Sequence, residues 1–309
     1  MNDRPRPPQR IFPTSKVDAR AAEHVPSVPQ TESAAYKLAF QDTDFLLRED
    51  LRPVRFQLEL LKPELLLNEA KIASTFVFYG SARIPSPEAA DALVAAATND
   101  EQQAIAERLK AKAHYYETAR ALARLASRCG VDDDGKRHFV VCSGGGPSIM
   151  EAANRGAWEE GAETIGLNIV LAHEQLPNPY VTPELSFQFH YFALRKMHFL
   201  LRARAVAVFP GGYGTFDELF ELLTLVQTGK VRPLPVLLFG REYWERVVNF
   251  DALVAEGVIA PHDLDLIHWS EDAEEAWAFV NHFYAEHPEP EPRHSGRDDR
   301  AADAAKDGS

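Results

Sequence analysis

The sequence predicts an α/β fold: a parallel sheet with helices on both faces, preceded by a helical layer. Three observations carry this. Short apolar runs alternate with longer helix-patterned segments from about residue 74 onward. The runs are apolar throughout rather than at every second residue, as expected of strands buried on both faces. Two of them, ending at Cys142 and Phe209, lead directly into glycine-rich turns followed by helical patterns. Strand, tight turn and helix in succession is the unit from which parallel sheets are built.

The totals agree. The chain has 309 residues, 45% hydrophobic and 26% charged, enough for one large core. A net charge of -13 argues against a broad nucleic-acid surface. Two cysteines, Cys129 and Cys142, give no disulfide framework and read as buried thiols in a reducing compartment. No apolar run reaches the roughly 18 residues of a membrane span. No signal-peptide core opens the chain, so a cytoplasmic protein with no membrane partner is expected.

In order, residues 1–33 are rich in Pro, Arg and Gln and read as a disordered arm. Residues 34–73 form the helical layer, with Phe56, Leu58, Leu60, Leu61 and Leu65–Leu67 as its apolar side and breaks near Pro53 and Pro63. The α/β domain covers 74–287. Its first strand, Thr75-Phe76-Val77-Phe78-Tyr79, ends in Gly80-Ser81-Ala82-Arg83. A long helical segment covers about 101–128, and Asp132-Asp133-Asp134-Gly135 is a surface turn. His138-Phe139-Val140-Val141-Cys142 is a strand, followed by Ser143-Gly144-Gly145-Gly146-Pro147 and a helix to about 160, with Pro147 suited to a helix start. A strand at 165–170, a proline-stiffened loop at 176–185 and a helix at about 192–204 come next. Strand 205–209 leads into Pro210-Gly211-Gly212-Tyr213-Gly214-Thr215-Phe216-Asp217-Glu218 and an amphipathic run to Gln227. Strand 234–239, helix 243–256, strand 264–268 and helix 273–286 complete the domain. Residues 288–309 read as a disordered polar tail.

Both glycine turns aim free backbone N–H groups at one point, where the helix dipole also favours negative charge. Two such turns at the carboxyl edge of one sheet make a crevice for a phosphorylated ligand. A plainer reading stands beside this one. Thr215-x-x-Glu218 and Ser148-x-x-Glu151 are also capping boxes, which would occupy those groups locally. Neither the dinucleotide pattern nor a Walker loop is met: the third glycine position after Gly212 and Gly214 is Asp217, and no Lys-Ser or Lys-Thr follows. Arg195 and Lys196 lie between apolar flanks, Phe189, Tyr191, Phe192, Met197, Phe199 and Leu200. An arginine so placed is expected to pair with a carboxylate, Glu218, or with a bound phosphate. Ser81 and Arg83 should open at the same sheet edge. His190 and His198 lack metal-ligand spacing, as does His173-Glu174, and no metal site is expected. No G-x-S-x-G elbow occurs.

Pro210–Glu218 matches the PGGxGTxxE motif of the LONELY GUY (LOG) family of cytokinin riboside 5'-monophosphate phosphoribohydrolases, often labelled lysine decarboxylases. Arg195-Lys196-Met197 resembles the family's RK segment, and Gly144-Gly145-Gly146 its GGG loop. The resemblance spans about residues 74–285. The helical layer and the segment 178–185 look like the longer bacterial branch, bordering nucleotide nucleosidases. The resemblance implies a Rossmann-like fold, an active site at a homodimer interface, no cofactor, and a nucleoside 5'-monophosphate as substrate. It assigns Arg195 and Glu218 as the catalytic pair. It assigns Lys196, Gly144, Gly145, Gly146, Gly211, Gly212, Tyr213, Gly214, Thr215, Asp217 and Thr224 as substrate contacts. Two alternatives are a non-catalytic nucleotide or cofactor carrier, since molybdenum-cofactor carriers resemble this fold, and a pyridoxal-phosphate decarboxylase. The second needs a Schiff-base lysine in a recognisable setting, and the sequence shows none.

Overall fold

Thr75-Phe76-Val77-Phe78-Tyr79 is buried along its whole length and forms β1 (Thr75–Tyr79), the centre of the sheet. In the computed structural model, which describes residues 12–171 and 176–288, the other strands are β2 (Val140–Ser143), β3 (Thr164–Ile169), β4 (Ser186–Phe189), β5 (Ala203–Val208), β6 (Val236–Phe239) and β7 (His268–Ser270). They lie in the order β4-β3-β2-β1-β5-β6-β7, and each neighbouring pair is parallel. The chain starts in the middle, builds outward to β4, then returns to β1's free edge with β5. That reversal makes the carboxyl ends of β1 and β5 the switch point, where the loops diverge and a ligand crevice opens.

The strands are apolar because both faces are covered. On one face Phe76, Phe78, Phe209 and Phe239 pack under helices His114–Ser127, Ile149–Glu159 and Ala273–Glu286, through Ala119, Leu122, Ala153 and Val280. Phe209 and Phe239 stack at 4.4 Å and 7°. Among the described residues no helix is long and apolar enough to cross a membrane.

The chain divides into two compact units, residues 1–66 and 67–309. In the first, part of the expected arm is helical, over Ser15–Ala22 and Pro29–Glu32. Neither helix buries a residue, so apolar periodicity could not reveal them. Local chemistry makes the second: Pro29 sits in the first turn, and Thr31 Oγ1 accepts from Val28 N at 3.0 Å and donates to Pro26 O at 2.8 Å. The expected layer is continuous helix only over Arg52–Glu69, after short turns. Pro53 lies in its first turn, where its missing N–H costs nothing, and Pro63 is carried inside the helix without the expected break.

Further differences concern short elements. The segment at 101–128 is two helices, Asp100–Lys110 and His114–Ser127. The segment at 243–256 is likewise two, Arg241–Val247 and Phe250–Ala255. β4 was not expected, and β7 begins at His268 rather than ending there, because 261–266 is a 3₁₀ helix started by Pro261. Residues 1–11 of the arm, 172–175 with His173-Glu174, and the tail from 289 lie outside the described residues.

Candidate active site

The two glycine corners meet at the carboxyl edge of the sheet. β5 runs through Phe209 and Pro210 into helix Tyr213–Gln227, whose N-cap is Gly212. Thr215 therefore sits inside the first turn, and the Thr215–Glu218 capping box does not form. Ser148 likewise makes no cap bond to the start of helix Ile149–Glu159. Its Oγ donates instead to the Ile84 carbonyl, and Glu151 accepts from Tyr116 Oη at 2.9 Å. Both helices thus begin without side-chain caps, leaving first-turn N–H groups for a ligand. Ser148 holds a φ of 67° and a ψ of -125°, a strained conformation for a non-glycine residue. Its bond to Ile84 ties the β1 loop to the second corner, and Ser81 N donates to Pro210 O at 3.0 Å, tying the same loop to the first.

A cavity of about 540 Å³ lies between these loops. Ser81 and Arg83 line it from the β1 loop, Gly144 from the second corner, and Gly212, Tyr213, Gly214, Thr215 and Glu218 from the first. Arg195 closes it from helix Phe192–Leu201. A neighbouring lobe of about 470 Å³ shares Gly144, Met150 and Arg195 and is walled by Ile169, Leu176, Phe187 and Phe192. A larger apolar cavity of about 690 Å³, around Leu201, Leu225, Leu234 and Phe283, contains neither corner.

Arg195 is fixed on three sides. Its Nε donates to Leu167 O at 2.7 Å, its guanidinium rides over Phe199 at 5.1 Å, and its Nη1 lies 3.9 Å from Glu218 Oε1. Position 144 must be glycine for this approach: a Cβ there would lie 2.6 Å from Arg195 Nη2 and 2.8 Å from Met150 Sδ. Burial pulls the Arg195 pKa below its ordinary value while Glu218 opposes the shift.

At 3.9 Å the pair with Arg195 is too long for a hydrogen bond, so the Glu218 carboxylate keeps its lone pairs. The residue is 8% exposed, and burial pushes its pKa from 4.5 up to about 7. Arg195 and Lys196 oppose that rise, while Asp217 and Glu221 add to it. A carboxyl poised near neutrality can take a proton at one step and return it at another.

Other expected contacts sit elsewhere. Lys196 Nζ lies 2.9 Å from Asp217 Oδ1 and 2.8 Å from Glu221 Oε2. Burial works against its charge, but the two carboxylates outweigh it and raise the pKa. Lys196 and Asp217 thus hold helix to helix and do not line the cavity. Thr224 Oγ1 donates to Phe220 O at 2.7 Å on an exposed face. Gly146 lines the apolar lobe, whereas Gly145 and Gly211 lie behind the lining. The sequence reading missed Tyr79, Met150 and Phe199, which line the main cavity. Tyr79 had a signal, as the last strand residue before Gly80-Ser81.

Comparison with known proteins finds relatives of one kind. A family model described as "Possible lysine decarboxylase" matches residues 150–280. A probable cytokinin riboside 5'-monophosphate phosphoribohydrolase, LOGL3 of Oryza sativa subsp. japonica, is 28% identical over 159 residues. That match takes in 48% of this chain and 68% of the relative. The cytokinin riboside 5'-monophosphate phosphoribohydrolase LOG1 of Arabidopsis thaliana is 31% identical over 127 residues, 40% of this chain and 57% of the relative. Among solved structures, the molybdenum cofactor carrier protein of Chlamydomonas reinhardtii aligns with a TM-score of 0.39 at 18% identity, over 69% of this chain and 99% of the carrier.

Proposed function

We propose that this chain, which belongs to the LONELY GUY (LOG) family, hydrolyses the N-glycosidic bond of nucleoside 5'-monophosphates to free base and ribose 5-phosphate. The observation that carries the reading is Glu218: a buried, hydrogen-bond-free carboxylate facing the cavity into which an uncapped helix start also opens. In the reaction the amides of the first corner take the 5'-phosphate, with Arg83 supplying charge. The sugar then lies toward Glu218. As the bond to the base breaks, positive charge develops on the ribose, and the carboxylate stabilises it. Glu218 removes a proton from the attacking water, whose oxygen bonds to the anomeric carbon, the electrons of the broken bond leave with the base, and Glu218 returns its proton to the base as the free base departs. Arg195 stays protonated; it orients Glu218 and favours its ionised form.

The apolar lobe supports the finer part of the proposal, a base carrying a hydrocarbon substituent as in cytokinin ribosides. A homo-oligomer acting in the cytoplasm belongs to the same proposal. A lysine-dependent decarboxylase is disfavoured, because among the described residues no lysine lines the cavity and Lys196 is held by two carboxylates.

The test is base release, followed by chromatography, from AMP, from isopentenyladenosine 5'-monophosphate and from their nucleosides. Base and ribose 5-phosphate are expected from the nucleotides. Burying five extra carbons should favour the isopentenyl nucleotide by about tenfold or more. Faster turnover of AMP would move the assignment to a nucleosidase of unmodified nucleotides. Binding without base release would make the protein a carrier.

A further inference from the structure

We infer that Asn168 selects the base: its side-chain oxygen accepts a hydrogen bond from an exocyclic N–H of the base, beside the wall that takes a hydrocarbon substituent. The inference deepens the hydrolase reading given above and rests on it. The strand order sets the order along the crevice. From β5 through β1 and β2 to β3, the sheet edge carries the first corner, the Ser81 loop, the second corner and then Asn168. Gly144, Met150 and Arg195 join the main cavity to the neighbouring lobe, which Asn168 lines. A nucleotide with its phosphate on the first corner and its sugar at Glu218 therefore extends its base into that lobe. Leu167, the residue before Asn168, gives its carbonyl to Arg195 Nε at 2.7 Å, so the lobe begins where the reacting groups end.

Asn168 is half-buried near the end of β3, and its amide has one orientation. Nδ2 donates to Phe187 O at 3.1 Å and, at 3.4 Å each, to Gly166 O and Ser186 Oγ. Two of these partners are carbonyls, which only accept, so the nitrogen must face them and Oδ1 must face the other way. Among the described residues nothing donates to Oδ1, and the atom is not closed off from solvent. Position 145 keeps it uncovered, since a Cβ on Gly145 would lie 2.5 Å from this oxygen.

An acceptor without a donor, held rigid in a lobe with apolar walls, calls for an N–H on the ligand. The walls beside it, Ile169, Phe187 and Phe192, take carbon. A 6-aminopurine with one hydrocarbon substituent on the amino nitrogen offers both: the remaining N–H meets Oδ1 and the substituent meets the wall. A 6-oxo purine sets acceptor against acceptor, and a doubly substituted amine has no proton to give.

The experiment measures kcat/KM for base release from the riboside 5'-monophosphates of 6-methylaminopurine and 6-dimethylaminopurine, in wild type, Asn168→Leu and Asn168→Ala, with melting temperatures recorded. Both substrates carry hydrocarbon on the amino nitrogen, and only the first keeps an N–H. Wild type is expected to prefer the first by about tenfold, the worth of one hydrogen bond whose loss leaves its acceptor unpaired. In the variants the ratio should fall to within about twofold, through slower turnover of the methylamino substrate. Leu is close to Asn in size, so a preference set by crowding alone would persist there, and Ala reads the same ratio if Leu folds poorly. A wild type that takes both substrates equally, or a folded variant that keeps the preference, overturns the inference and leaves the hydrolase reading intact. Release of base from neither substrate, nor from AMP, sinks the hydrolase reading instead.

Discussion

Replacing Glu218 by Gln should lower kcat by about a thousandfold, the range spanned by a lost acid–base group, with KM for the nucleotide little changed. The same substitution should make the protein more stable in alkali. Burial raises the Glu218 pKa from 4.5 to about 7, so the folded state holds its proton where the unfolded state releases it. The stability this carboxyl contributes is full below pH 4.5 and is lost as pH rises through 7. Between pH 4 and pH 8 the melting comparison should move in the variant's favour by roughly 3 kcal/mol. Gain of stability together with loss of turnover is the mark of a group kept for chemistry. A capping glutamate would show the opposite, a loss of stability with turnover unchanged.

The second large effect is at Arg195. Arg195→Met removes the charge 3.9 Å from Glu218 and leaves Leu167 O without its donor. A fall in kcat/KM of about a hundredfold or more is expected from the lost electrostatic stabilisation. Because Arg195 favours the ionised Glu218, its removal should also move the acidic limb of the kcat/KM profile upward from about pH 7. The pH–rate profile checks this. A variant slower by the same factor at every pH, with its limb unmoved, would show that Arg195 acts on the substrate alone.

The sheet was largely legible because its strands are buried on both faces and so carry an unbroken apolar signal. Its edges were not. β4 alternates buried with exposed residues over four positions and follows a run of prolines, and β7 is three residues long. Neither length separates strand from loop by pattern. The arm helices escaped for a related reason: they bury nothing.

At the site, Arg195 stood out because a cation among aromatic residues needs a partner, and Glu218 because its spacing from the glycines fixes it on the first turns of a helix. Spacing alone could not separate a capping box from a ligand site, since that depends on where the helix starts. Gly212, not Thr215, turned out to hold the N-cap. Lys196 and Asp217 were assigned as contacts by the motif match, but two helices facing each other pair them, a relation no single segment encodes.

The central claim is that the first glycine corner holds a nucleotide's phosphate so that Glu218 faces the anomeric carbon. A crystal structure of Glu218→Gln soaked with a nucleoside 5'-monophosphate tests it most directly. The phosphate should lie on the amides of residues 213–215, with the ribose carbon bearing the base turned toward position 218. A phosphate bound elsewhere, or a sugar turned away from that side chain, would contradict it.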